Sequence, residues 1–401
     1  MSRPSILVVS YISPLQKWGS AHRSRLLIDA LARHGHVDVL VLTFGAGASD
    51  HGRVSATPLG AARIVDLQIA NKGIAGRPRF DITSRSVTRE VAKHIDLSSY
   101  DLIVSRYIRP AMKLALPAHV PVIVDFDDAL YEPPWEALRG PKQWVGAFLR
   151  LFNDRVIVRT RLRLQTSQHY FFCRQAERDL FASLPSSVLP NIPPRPVRVG
   201  PPDFSSPKTP ALMFIGLLDY MPNEDAVDWF LASVWPGVRQ AVPSARFVLA
   251  GTASAERTAR WSTFENVDVL GFVDDLAQAY ARATASIVPM RSGAGTNVKA
   301  LEPFFYGKPV IATSLVVSGY RSLLDLSDVV LIADEAAAFA QHCVALLKNP
   351  QHASDLARLG YDRINSQLDV PMFDAIVDAA LDKVLAVPPP AGPQRIVNKA
   401  A

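Results

Sequence analysis

Short apolar runs rich in β-branched residues recur along this chain, and each is followed by a stretch with helical spacing. The first is SILVVS, from Ser5 to Ser10. A run that is apolar at nearly every position suits a strand buried on both faces of a parallel sheet. Ala21 to His34 (AHRSRLLIDALARH) then sets Leu26, Leu27, Ala30 and Leu31 at helical spacing, and Gly35 stops the pattern before VDVLVLTF. That is a βαβ unit. The alternation continues through RIVDLQI near residue 65, a helix around Ser86 to His94, DLIVSRY from Asp101, PVIVDF from Pro121 and HYFFC from His169.

Prolines then crowd residues 190–210 (PNIPPRPVRVGPPDFSSPKTP), where neither a helix nor a central strand can persist, and an interdomain linker is expected there. The alternation restarts with ALMFIG (211–216), a helix from Asn223 to Val234, RFVLAG (246–251), VDVLG (267–271), a helix near Asp275 to Arg282, ASIVP (285–289), a helix after Thr296, PVIAT (309–313) and DVVLIA (328–333). Glu335 to Leu347, Gln351 to Asn365 and Pro371 to Val387 are helical by period. The predicted fold class is α/β, with two doubly wound, Rossmann-like domains facing a cleft. Their bounds are 1–190 and 211–370, joined by the linker 191–210. A helix over 371–387 is free in sequence terms to pack back on the first domain, and a disordered tail follows over 388–401. The length of 401 residues agrees, because single cores stop growing at about 250–300 residues.

A 49% hydrophobic and 20% charged composition excludes global disorder. Lys+Arg number 43 against 37 Asp+Glu, a formal +6 that favours anionic partners without being extreme. Cys173 and Cys343 cannot form a disulfide framework, and neither has a metal-site spacing, so both are expected to fill core space in a reducing compartment. The apolar run after Pro4 is too short for a signal-peptide core, and no apolar run reaches the roughly 18 residues of a membrane span. A cytoplasmic chain is expected, with peripheral contact at the cytoplasmic membrane face left open.

The chemistry concentrates in residues 289–310, PMRSGAGTNVKALEPFFYGKPV. Gly293, Ala294, Gly295 and Thr296 join the end of a buried strand to the expected helix. Glycines there let backbone N–H groups turn toward an anion, and a helix N-terminus adds positive charge. Arg291 and Lys299 bring two cations to the same place. Glu302, three residues after Lys299, is placed to accept hydrogen bonds from sugar hydroxyls. A plainer reading makes the glycines a tight turn and Lys299–Glu302 a surface pair.

With FIGLLDYMPNEDAVDWF (214–230), VPSARFVLAG (242–251), VDVLGFVDDL (267–276) and RSGAGTNVKALEPFFYGKPVIATS (291–314) in this order, the chain resembles the GT-B glycosyltransferases of family 4, the group 1 type that includes bacterial polysaccharide enzymes. The resemblance spans most of residues 1–385 and is strongest after Ala211. It implies a metal-independent, retaining hexosyltransferase whose co-substrate is a nucleoside-diphosphate sugar, with no further cofactor and no nucleic-acid partner. The N-terminal domain would bind the acceptor, a lipid-linked or polysaccharide glycan. Glu302 falls on the glutamate that holds the nucleotide ribose. Gly271, Phe272, Val273 and Asp274 fall on the turn that contacts the base. Gly19, in the loop after the first strand, and Gly216, at the end of the strand that opens the second domain, would lie near the donor.

Three departures stand out. The first glutamate of the family's EX7E motif is replaced by Ala294, the basic pair after the GLL strand end is replaced by Asp219-Tyr220-Met221-Pro222-Asn223, and the acceptor-domain histidine is absent, the segment reading Val124-Asp125-Phe126-Asp127-Asp128. Arg291, Lys299 and the Gly293–Thr296 amides are therefore expected to neutralise the leaving diphosphate. Asp127 is the candidate catalytic carboxylate, with helix capping as the alternative role for this aspartate cluster and no metal expected on it. Trp135, Trp144, Phe148 and Phe152 alternate with Arg139, Lys142, Arg150, Arg155 and Arg159, a pattern that fits an interfacial membrane helix and a helix packed on the sheet equally well. A catalytically silent nucleotide-sugar-binding subunit and a nucleotide-sugar 2-epimerase are the alternative functions.

Overall fold

The computed structural model describes residues 3–16, 19–44, 63–69, 85–127, 140–141, 144–146, 148, 167–196, 200–293 and 296–386. The chain divides into two compact units, one holding the N-terminal strands together with the segment from Val370, the other centred on Asn191–Asp369.

The first unit is built on seven parallel strands: β1 (Ser5–Ser10), β2 (His36–Phe44), β3 (Arg63–Ile69), β4 (Leu102–Arg106), β5 (Val122–Phe126), β6 (Ser167–Phe172) and β7 (Ser186–Val188). Their order is β3-β2-β1-β4-β5-β6-β7, so the chain reverses its direction of travel between β1 and β4. Ligands of doubly wound sheets gather outside the carboxyl ends of the strands at such a reversal. Ile6, Leu7, Leu102, Ile103, Val122 and Ile123 are at most 1% exposed, as an all-apolar central strand requires. Helix α1 (Gly19–Ala32) buries Ala21, Leu27, Ile28, Ala30 and Leu31.

The helix that ends the described chain, Val370–Leu385, packs on α1 and buries Phe373, Val377, Ala380, Leu381 and Val384. Arg33, just after α1, reinforces it by pairing with Asp374 and Asp378. The tail over 388–401, expected to be disordered, lies outside the described residues.

The second unit has six parallel strands: β8 (Ala211–Ile215), β9 (Arg246–Ala250), β10 (Val267–Gly271), β11 (Ala285–Val288), β12 (Val310–Ala312) and β13 (Val330–Ile332). The order β10-β9-β8-β11-β12-β13 repeats the reversal, here between β8 and β11. Phe230, Trp235, Phe247 and Phe339 form the aromatic centre of its core. The helix expected over Asn223–Val234 begins at Met221, and its last turn, Phe230–Val234, widens to π geometry before Trp235–Ala241. Pro236 accounts for the widening, because its missing N–H removes one bond of the helical ladder.

The proline-rich stretch does not hang clear of this unit. Phe204 is buried under Arg358 and edge-on to Tyr361, Lys308 Nζ donates to Ser205 O over 2.7 Å, and Arg195 donates to Asn365 over 2.6 Å.

Candidate functional site

The helix expected after Thr296 is not formed. Two 3₁₀ turns replace it, Val298–Ala300 and Glu302–Tyr306. Pro303 is the reason: it has no N–H to bond the carbonyl of Lys299, its ring crowds that carbonyl, and it disfavours helical geometry at Glu302. The positive end of a helix dipole is thereby removed from the cradle, and any anion must be held by side chains and individual amides instead.

Gly216, Gly251 and Gly271 lie at or just after the ends of β8, β9 and β10, and Arg291 and Ser292 follow β11. Parallel strands put all of these at one edge of the sheet. The backbones cross there with no room for side chains: a Cβ on Gly251 would stand 1.7 Å from Gly216 O, and one on Gly216 would stand 2.8 Å from Lys299 Cε. Gly216 is thus the floor on which the lysine lies.

Lys299 reaches this floor from the first 3₁₀ turn. Its Nζ donates to Asn223 Oδ1 over 2.8 Å and sits 5.5 Å from the centroid of the Phe214 ring. Burial pushes its pKa down to about 8, with Glu302 pulling the other way. Glu302 opens the second turn and accepts a 2.9 Å hydrogen bond from the hydroxyl of Tyr280. Burial raises its pKa, and the Tyr280 hydrogen bond and the charge of Lys299 oppose the rise. Tyr280 is 2% exposed and stacks on Tyr306, with centroids 4.6 Å apart. The structure therefore brings a cation and a carboxylate together, each with its own neutral brace.

Arg291 does not join them. Its Nη2 pairs with Asp225 Oδ1 at 3.0 Å, and its guanidinium lies over Trp229, so the helix Met221–Trp229 engages the group expected to meet phosphate. Ala294 and Gly295 lie outside the described residues. On either side of them Gly293 has φ 144°, and the hydroxyls of Ser292 and Thr296 are buried with no hydrogen-bond partner among the described residues. In the β10 turn Gly271 takes φ 71°, Phe272 is 58% exposed, Val273 is half-buried and Asp274 is exposed.

In the first unit Gly19 opens α1. Asp127, the candidate catalytic carboxylate, follows β5 and is 5% exposed. Its Oδ2 accepts from Arg106 Nη2 at 3.1 Å and from the Tyr107 hydroxyl at 3.4 Å, and its Oδ1 lies 3.3 Å from the thiol of Cys173. Asp125, fully buried, accepts from Arg23 at 2.6 Å and from Arg106 Nη1. Arg23 also donates to Leu189 O and Pro190 O, at 3.0 and 3.1 Å. Burial would strip these guanidinia of protons, but the two aspartates more than offset it and raise both arginines above their usual range. Carboxylates committed to buried cations are poor bases. Asp128 lies outside the described residues, as does most of the basic segment 135–163; Trp144, Val145 and Phe148 are exposed.

Sequence reasoning missed Asn223, Tyr280 and Asp225. A buried asparagine that accepts from a lysine and a tyrosine hydroxyl aimed at a glutamate carry no local signature, since Lys299 and Glu302 lie 76 and 22 residues away from them.

Residues 209–349 match the family model described as glycosyl transferases group 1. No curated protein sequence matches the chain. Among solved structures it is similar to sucrose-phosphate synthase of Thermosynechococcus elongatus, with a TM-score of 0.65 and 16% identity over 96% of this chain and 100% of that one. It is also similar to HepE of Anabaena in complex with UDP and glucose, with a TM-score of 0.63 and 14% identity over 95% and 100%. A third is WaaG, a glycosyltransferase involved in lipopolysaccharide biosynthesis, with a TM-score of 0.61 and 13% identity over 95% and 99%. Residues 209–349 thus match the glycosyl transferases group 1 family, and the whole chain has the GT-B fold of the glycosyltransferases to which it is similar.

Proposed function

We propose that this protein transfers a hexosyl unit from a nucleoside-diphosphate sugar to a hydroxyl acceptor on a lipid-linked or polysaccharide glycan, with retention of configuration. The observation that carries the reading is the pairing of Lys299 with Glu302 on consecutive turns at the carboxyl edge of a doubly wound sheet, inside the segment matched by the family model. Glu302 accepts from the ribose hydroxyls. Lys299 meets the diphosphate, aided by backbone N–H groups of the 293–296 loop and by the Ser292 and Thr296 hydroxyls, with no catalytic metal. Charge that accumulates on the leaving diphosphate is stabilised by groups already in place, which is the form of electrostatic help that lowers a barrier. The basic, Trp/Phe-bearing segment at 135–163 is the part suited to peripheral contact with an anionic, cytoplasmic membrane face.

The test is a thermal-shift panel of UDP-, GDP- and ADP-sugars followed by assay of slow donor hydrolysis. A ligand at 100 times its Kd stabilises by about 2.7 kcal/mol, a readable shift. Free sugar released from the donor that binds supports a transferase. An isomerised sugar points to an epimerase, binding without turnover to a silent subunit, and no binding of any donor sinks the reading.

A further inference from the structure

Tyr280 sits where phenylalanine would fill space equally well. Its ring belongs to a small core of Ala211, Met213, Val248, Ala279 and Ala283, and it stacks on Tyr306 at an interplanar angle of 20°. The helix that carries it, Leu276–Ala281, is capped by Asp275, whose side chain accepts from Gln278 N over 3.1 Å. The ring is thus fixed from two sides. Its hydroxyl then reaches out of this apolar setting to one atom, Glu302 Oε1, at 2.9 Å. Tyr280 grips both ends of the turn Glu302–Tyr306, the first residue by hydrogen bond and the last by stacking.

A carboxylate here faces a conflict. Desolvation favours its neutral form, whereas a ribose needs it as an anion with both oxygens correctly turned. The groups acting against protonation are Tyr280, from the helix packed over the turn, and Lys299, from the turn before. On the far side the helix Pro350–Gln367 meets the same turn through Phe304 and Phe305, with Tyr361 against Phe305; its Arg358 is turned to Phe204. The charged groups of that helix leave Glu302 to its two nearer partners.

We infer that Tyr280 is a positioning residue for nucleoside recognition: its hydroxyl, held by the core, aims Glu302 and keeps it anionic so that the carboxylate can accept from vicinal hydroxyls of a ribose. The inference rests on the proposed donor-binding role of Glu302. It assigns to the helix after β10 a share in donor selectivity that does not require Tyr280 to touch the ligand.

The experiment uses the full chain and UDP, with GDP and ADP alongside, and compares each with its 2′,3′-dideoxy analogue from about pH 5 to about pH 8. Wild-type protein that binds none of the three ribonucleotides overturns the functional reading itself, before the role of Tyr280 arises. Given binding, Tyr280→Phe should weaken the ribonucleotide about fivefold at neutral pH, the size of one ordinary hydrogen bond. It should also move the acid limb of the affinity profile to higher pH and leave the dideoxy affinity unchanged. In a Glu302→Gln background the same change should have no effect on the acid limb. Equal affinities and an unmoved acid limb in folded Tyr280→Phe protein overturn the inference and leave Tyr280 as packing. Should that variant not fold, wild-type protein labelled at tyrosine Cζ gives the answer. The Tyr280 resonance should titrate with the acid limb and cease to do so in Glu302→Gln, and a resonance flat across that limb overturns the inference.

Discussion

Lys299 Nζ and Asn223 Oδ1 stand 2.8 Å apart on the backbone floor of Gly216, so the cation best placed to meet a diphosphate is held by a neutral amide and not by a carboxylate. A neutral acceptor orients the ammonium group without cancelling its charge. It also leaves the lysine poorly compensated for burial, which is why its pKa falls to about 8.

This gives the first prediction a sign. The anion-binding form is the protonated one, so nucleoside-diphosphate affinity should be level below pH 8 and fall above it, by up to tenfold per pH unit. The free nucleoside should show no such fall. Stability moves oppositely: between about pH 8 and the unfolded value of 10.5 the unfolded chain holds the extra proton, so stability from this group rises with pH. Lys299→Met should therefore bind diphosphate poorly and melt no lower than wild type at neutral pH. A melting temperature well below wild type, with diphosphate affinity retained, would assign Lys299 to the core alone.

The glycines at this edge should separate stability from binding. A Cβ at Gly251 meets Gly216 O at 1.7 Å, backbone against backbone, and φ there is 134°. Gly251→Ala should cost about 3 kcal/mol or more in denaturant unfolding, since neither partner can yield. At Gly216 the nearest atoms are side-chain ends and not backbone: Lys299 Cε at 2.8 Å, which can move, and Asn223 Nδ2 and Lys299 Nζ at 3.0 Å. Gly216→Ala should fold nearly normally and lose diphosphate affinity, and equal losses of stability at the two positions would contradict this picture.

Much of the architecture could be read from sequence because it is written locally. β1, β4, β5, β8, β9 and β11 are apolar nearly throughout, and that pattern has few other uses in a chain of this composition. What could not be read depended on a single residue or on distance along the chain. Pro303 converts an apparently helical VKALEPFFY into two tight turns, and the periodicity of its neighbours hides this. Glu302 was visible as a candidate, but Tyr280 was not, because QAYARA reads as a plain amphipathic helix. Arg291 looked available for phosphate because Asp225 lies 66 residues earlier.

Arg291 therefore carries its own expectation. An ion pair with partners 31% and 17% exposed contributes at most about 1 kcal/mol, so Arg291→Ala should change stability little. With its guanidinium turned to Asp225 and Trp229, the same substitution should weaken diphosphate binding much less than Lys299→Ala does. Isothermal titration of both variants with one nucleoside diphosphate decides it. Equal losses would mean that Arg291 leaves Asp225 when the ligand arrives.

The aspartates at the end of β5 divide in the same way. Asp125 is fully buried between Arg23 and Arg106, and both guanidinia are within 2% of complete burial. Removing one partner of a buried pair leaves an uncompensated charge, so Asp125→Ala should destabilise the first unit by about 3–5 kcal/mol. Asp127 shares Arg106 but is also held by Tyr107 and Cys173, and an amide can accept from the arginine and the tyrosine without a net charge. Asp127→Asn should then lose stability without a comparable loss of turnover per folded molecule. Measured together, unfolding midpoint and donor turnover separate the two roles: a stable Asp127→Asn protein whose turnover collapses would return Asp127 to the catalytic centre, whereas a destabilised protein with normal specific turnover makes the pair a structural anchor for α1 and for the carbonyls of Leu189 and Pro190.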